Sequence, residues 1–150
     1  MRAVRYHEHG GTEVLEVEDV DRPDPGRDEA LVRVEAASVN PVDTYFREGS
    51  YPPGELPWIP GSDVAGVVEA TGPESEYEAG DRVVATGLGN DRPGTCAEYV
   101  AVPGDLLATL PERVDFEEGA AAALVGVTAW QSLVAACDVT PGDRALVHGG

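Results

Sequence analysis

The first two-thirds of the chain read as short extended segments, each cut off by glycine or proline, and this punctuation narrows the fold more than any other feature. Residues 2–7 and 13–20 flank a His9-Gly10-Gly11 turn. Residues 29–39 alternate, with Val32, Val34 and Ala36 on one face and Arg33 and Glu35 on the other, as a half-buried strand requires. Residues 63–71, 81–86 and 95–102 are further strands, and in the last Tyr99 and Ala101 oppose Glu98 and Val100. Many short strands joined by turn residues predict a mainly β domain, a small barrel or sandwich. No internal repeat or low-complexity segment interrupts it.

The texture changes after Leu110-Pro111. Asp115 followed by Glu118 forms a capping box that opens a helix around Phe116–Ala123. After Gly126 a second helix is expected over Thr128–Cys137, with Trp130 and Cys137 as core residues and Ala120–Ala123 as a close packing surface. Pro141-Gly142-Asp143 turns the chain, and Arg144–His148 reads as a short apolar strand running into Gly149-Gly150. A dinucleotide-binding βαβ unit begins this way, although strands often end in glycine and the pattern gains weight only from what precedes it.

At 150 residues the chain can bury one core, so one domain, or one domain plus a fragment, is expected. Its 28 acidic residues face 10 basic ones, all arginine, for a net charge of −18. That balance argues against nucleic acid as a partner, because phosphate contacts need basic side chains. The acids are scattered and not gathered in a tail, which reads as a whole solvated surface adapted to high salt. No apolar run approaches the ~20 residues of a membrane span, and the N-terminus lacks the apolar core of a signal peptide. The expected setting is therefore cytoplasmic, with no membrane partner. Cys96 and Cys137 lack CxxC spacing, and a disulfide is not expected. His7, His9 and His148 have no ligand spacing and read as surface or strand-end residues.

Four motifs then fall in order: VNPVDTY at 39–45, PGSDVAG at 60–66, GDRV at 80–83 and GVTAW at 126–130. The series resembles the zinc-free quinone oxidoreductase, or zeta-crystallin-like, branch of the medium-chain dehydrogenase/reductase superfamily, over essentially the whole chain. The resemblance implies a GroES-like, partly open barrel of short strands with peripheral helices over residues 1–123. Residues 124–150 would be the linking helix and first strand of a truncated Rossmann domain, through which a homodimer is possible.

On residue types alone, Asn40-Pro41 is a turn initiator, Asp43 is a cap for a short helical turn, and Tyr45 and Tyr51 are core or wall residues. The resemblance implies more. Zinc-using members carry Cys and His at the positions of Asn40 and Ser62, and neither Asn nor Ser suits Zn²⁺. Their structural zinc also needs a cluster of cysteines where only Cys96 lies. No metal is therefore expected. A zinc-free hydride-transfer enzyme suits quinones or conjugated enones, whose extended electron systems accept hydride more readily, provided donors meet the developing oxyanion. Asn40, Asp43, Tyr45 and Ser62 are the implied catalytic residues, with Asp43 fixing the loop or orienting its neighbours. Asn40, Tyr51 and Thr128 are the implied contacts to NADPH, with NAD an open alternative. Alternative activities are a 2-alkenal or enoyl-thioester reductase and a non-catalytic binding or structural homologue. On its own the chain is expected to bind NADPH weakly and not to turn over.

The charge generates a direct test. Raising KCl from low to molar concentration should raise the melting temperature, because screening relieves repulsion among the surplus carboxylates. A melting temperature that stays flat or falls would refute the adaptation to salt.

Overall fold

A computed structural model of the chain describes residues 1–51 and 53–148. Its strands are β1 (Arg2–Arg5), β2 (Glu16–Asp19), β3 (Glu29–Ser38), β4 (Asp63–Thr71), β5 (Arg82–Ala85), β6 (Tyr99–Pro103) and β7 (Leu107–Thr109). Helix α1 spans Pro41–Glu48, and α2 spans Phe116–Trp130. Five strands form one antiparallel sheet in the order β6-β3-β4-β5-β7, while β1 and β2 form a separate pair. The result is mainly β, as the turn-broken strands predict, and the curled, partly open barrel is the one that the resemblance implies.

The core lies inside the curl. Val32 on β3, Val64 and Val68 on β4, Val83 on β5 and Val100 and Val102 on β6 are buried together. On the other face Ala65 packs against Leu110 and Ala120, where α2 lies on the sheet. Arg82 holds that junction. It donates to the carbonyls of Glu112 and Val114, and its guanidinium stacks 4.5 Å from the Phe116 ring centroid. The Asp115 and Glu118 capping box then starts α2, with Glu118 N–H bonded to the Asp115 carboxylate at 2.7 Å.

The pairing of β3 with β4 slips between Leu31 and Val32 and again between Val34 and Ala36. Extra residues of this kind bend a strand and tighten its twist. Opposite the second slip sits Gly66, where a Cβ would stand 2.2 Å from the Arg33 carbonyl oxygen. Only glycine lets the two backbones come so close.

Several expectations change. The segment 13–20 is strand only from Glu16, because Thr12–Val14 coil into a single 3₁₀ turn. The strand expected from residue 95 begins at Tyr99, and Ala97 makes only an isolated bridge to Ala3. β7 is three residues long, too short for alternation to reveal it. Gly126 does not divide two helices: α2 runs through it and continues as a π-helical segment over Gln131–Ala136. One glycine costs a helix only about 1 kcal/mol relative to alanine, too little to break it. Trp130 and Cys137 are exposed and not core, because the second half of this helix packs on nothing in the described chain. Within Ala120–Ala123, only Ala120 is fully buried. Phe116–Ala136 thereby forms one helix long and apolar enough, by length and composition, to cross a membrane, contrary to the expectation that no run approaches that length. Arg144–His148 form no strand, since no described segment pairs with them. The Gly149-Gly150 pair lies outside the described residues.

Two glycine substitutions separate close approach from helix propensity. Gly66→Ala should lower unfolding free energy in urea by about 1–3 kcal/mol, because the opposing atom is backbone. Gly126→Ala, with nothing within 4 Å of the new carbon, should raise it by about 0.5–1 kcal/mol.

Candidate active site

Of the 28 acidic residues, only Asp43 and Asp63 are buried. They lie in one hydrogen-bonded cluster built where β3 ends, α1 begins and β4 begins. Strand register puts Ser38 opposite Asp63. The Ser38 hydroxyl donates to Asp63 Oδ2 at 2.5 Å, and Asn40 Nδ2 donates to the same oxygen at 2.8 Å. Asn40 Nδ2 also lies 3.2 Å from Ser38 Oγ. Asn40 is the N-cap of α1, with Pro41 at the first helical position, where a missing N–H costs nothing. Asp43, one turn in, accepts the Asn40 backbone N–H at 2.7 Å through Oδ2 and the Ser62 hydroxyl at 2.6 Å through Oδ1.

The Pro60-Gly61-Ser62 turn is clamped from behind. The Thr95 N–H donates to the Gly61 carbonyl and the Cys96 N–H to that of Pro60. Gly61 adopts φ +106°, and a Cβ there would meet Thr95 Oγ1 at 2.5 Å, so glycine is required on both counts. Asp63 Oδ1 is buried without a hydrogen-bond partner. Cys96 stands behind the same turn. Burial, with a smaller contribution from the Asp43 charge, raises its thiol to about 11, so it is a poor nucleophile and a poor metal ligand near neutrality.

At the mouth stand two exposed phenols. Tyr45 and Tyr51 have ring centroids 6.3 Å apart, inclined at 56°. The α1 C-terminus brings them together: Gly49 takes the left-handed conformation, and the Tyr51 N–H bonds to the Tyr45 carbonyl. Both rings are exposed, and neither is core.

The structure thus brings together Asn40, Asp43 and Ser62, sets Tyr45 and Tyr51 in the same loop region, and leaves Thr128 exposed on α2 without a hydrogen bond to the cluster. It also redirects two side chains. The Asn40 amide and the Ser62 hydroxyl, expected to donate to a substrate, donate instead to Asp63 and Asp43. Ser38 was not anticipated, although its position two residues before Asn40 at the end of an alternating strand is a legible signal. His7, read as having no ligand partners, lies close to Glu16 and Glu18 on the two-stranded sheet, an exposed grouping with metal-ligand proximity. No histidine joins the Asn40 cluster. A hollow of about 690 Å³ between Arg5, Trp58, Arg92 and Tyr99 contains none of the cluster residues, and its arginines are paired with Glu18 and Glu29.

The fold and the cluster can be set beside known proteins. The model of the alcohol dehydrogenase GroES-like domain matches residues 26–112. The chain belongs to that family. Several of the curated proteins it is similar to are named quinone oxidoreductase. It is 43% identical to the human protein named quinone oxidoreductase over 99% of the chain and 45% of that protein. The structure of a mycobacterial protein complexed with NADPH superposes with a TM-score of 0.86 at 43% identity, covering 95% of this chain and 42% of that one. The Escherichia coli quinone oxidoreductase complexed with NADPH gives 0.83 at 35% identity, covering 89% and 40%. The chain spans about 45% of the length of the curated relatives it matches.

The Cys96 environment yields a test. At pH 8 a thiol at about 11 is ionised in about one molecule per thousand. Iodoacetamide should therefore modify exposed Cys137 first and reach Cys96 only on unfolding or at strongly alkaline pH, as read by peptide mass spectrometry. Equal labelling of both thiols in the folded protein at pH 8 would contradict this account.

Proposed function

We propose that this chain is the substrate-side domain of an NADPH-dependent, zinc-independent quinone oxidoreductase, in which nicotinamide and quinone meet in front of Tyr45 and Tyr51. The observation that carries the reading is the pair of exposed phenols beside a sealed cluster of amide, hydroxyl and carboxylate groups. Zinc-using relatives need thiolate and imidazole at two of those positions, and Asn40 and Ser62 offer neither. The names of the related proteins and their NADPH complexes support the same reading.

The residues fit the nicotinamide half of the cofactor, since aromatic faces and uncharged polar groups suit a flat, polar ring. They do not suit its pyrophosphate: α1 opens with Pro41, which has no N–H, and with the carboxylate of Asp43. Anchoring of the phosphates falls to a nucleotide-binding domain, towards which residues 124–150 lead, with Thr128 available on the exposed side of α2. When bound, NADPH supplies hydride. The phenol hydroxyl of Tyr45, free of hydrogen-bond partners among the described residues, would donate to the oxygen on which charge develops, and Tyr51 would contact the nicotinamide. Asn40, Asp43 and Ser62 hold the loop that presents them. The same donor would serve a conjugated enone, so 2-alkenals are the second substrate class. The acid surplus fits an enzyme working in concentrated salt.

The experiment is NADPH oxidation by the full-length, metal-free protein with quinones and 2-alkenals. Turnover without zinc is expected, with Tyr51→Ala raising the KM for NADPH and Asn40→Ala slowing the reaction. Bound zinc near one per chain, or no oxidation of NADPH by any quinone or alkenal, would overturn the proposal.

A further inference from the structure

Asp63 never reaches the mouth of the site, yet it is the most deeply buried acid in the chain. We propose that Asp63, acting with Ser38, is a positioning residue that locks the Asn40 carboxamide and thereby fixes where α1 presents Tyr45 to the substrate. The inference rests on the function proposed above.

The two ends of an asparagine amide have nearly the same shape and opposite hydrogen-bonding character. A carboxylate has no proton to offer, so Asp63 selects the NH2 end of Asn40 and excludes the flipped rotamer. Ser38 closes the triangle, donating to Asp63 and accepting from Asn40. The Asn40 backbone N–H is held in turn by Asp43, which also takes the Ser62 hydroxyl. The end of β3, the start of α1, the Pro60-Gly61-Ser62 turn and the start of β4 are therefore joined through a single residue, Asn40, by its side-chain amide and its backbone N–H. Tyr45 lies on α1 within two turns of Asn40, so a displaced Asn40 shifts the phenol. Packing alone would be met by an uncharged residue, since Asp63 leaves Oδ1 buried and unpartnered at a cost. The lock also explains why Asn40 is not itself a donor to substrate: its NH2 group is already engaged.

The test combines kinetics of the full-length protein with a measurement that needs no turnover. With NADPH and a benzoquinone, Asp63→Ala should lower kcat by roughly 10–100-fold, the scale of misplacement near an ångström. The KM for quinone should stay within about twofold, as for an interaction that acts on the transition state. Asp63→Asn, whose own NH2 also lets the flipped Asn40 pair, should recover only part of the rate. The Asn40→Ala/Asp63→Ala double variant should be no slower than Asn40→Ala, since both act through one amide. Additive losses, or an Asp63→Asn variant as fast as the wild type, would overturn the proposal. Should Asp63→Ala fail to fold, Ser38→Ala replaces it in the same cycle. In ¹⁵N NMR spectra the Asn40 side-chain amide protons should exchange slowly in the wild type and quickly in Ser38→Ala. Fast exchange in the wild type overturns the lock whatever the activity. Slow exchange in a protein that reduces no quinone supports the lock and overturns the proposed reaction.

Discussion

The pairing of β3 with β4 is the constraint on which the rest depends. It supplies the centre of the five-stranded sheet, and its two register slips bend that sheet into a partly open barrel. The second slip, opposite Gly66, sets the register that brings Ser38 to Asp63. A shift of one residue would exchange the faces of every side chain beyond it, leaving Asp63 without its donors. Barrel shape and site geometry are thus consequences of the same local irregularity.

Two populations of acidic residue follow from this arrangement. Twenty-six of the 28 lie at least partly in solvent, and those that pair with arginine do so in ion pairs that each contribute about 0–1 kcal/mol. Ten arginines cannot match them, so most surface carboxylates depend on water and dissolved cations. The remaining two are sealed with serine and asparagine donors and no cation. Burial of an acid without a counter-charge is costly, and both instances fall in one hydrogen-bonded cluster.

Legibility in the sequence was uneven, for physical reasons. The β3 segment and the Asp115 and Glu118 capping box are local patterns, and each stands where alternation or capping puts it. Asn40 and Asp43 were legible as a cap because capping acts across three residues. β7, the extent of α2 and the exposure of Trp130 were not, since they depend on edge pairing and on which surfaces find a partner. An apolar helix reads the same whether its face is covered or bare.

The sequence by itself determined the charge and the mainly β class, which follow from composition and short-range periodicity, and it carries the motifs on which the family resemblance rests. Tertiary structure alone decided what those residues do with their hydrogen bonds. Asn40 and Ser62 looked like donors waiting for a substrate, yet the fold spends both on carboxylates 23 and 19 residues away along the chain. A side-chain amide or hydroxyl takes its direction from whatever acceptor is nearest, and that acceptor is fixed only when β4 returns to lie against β3.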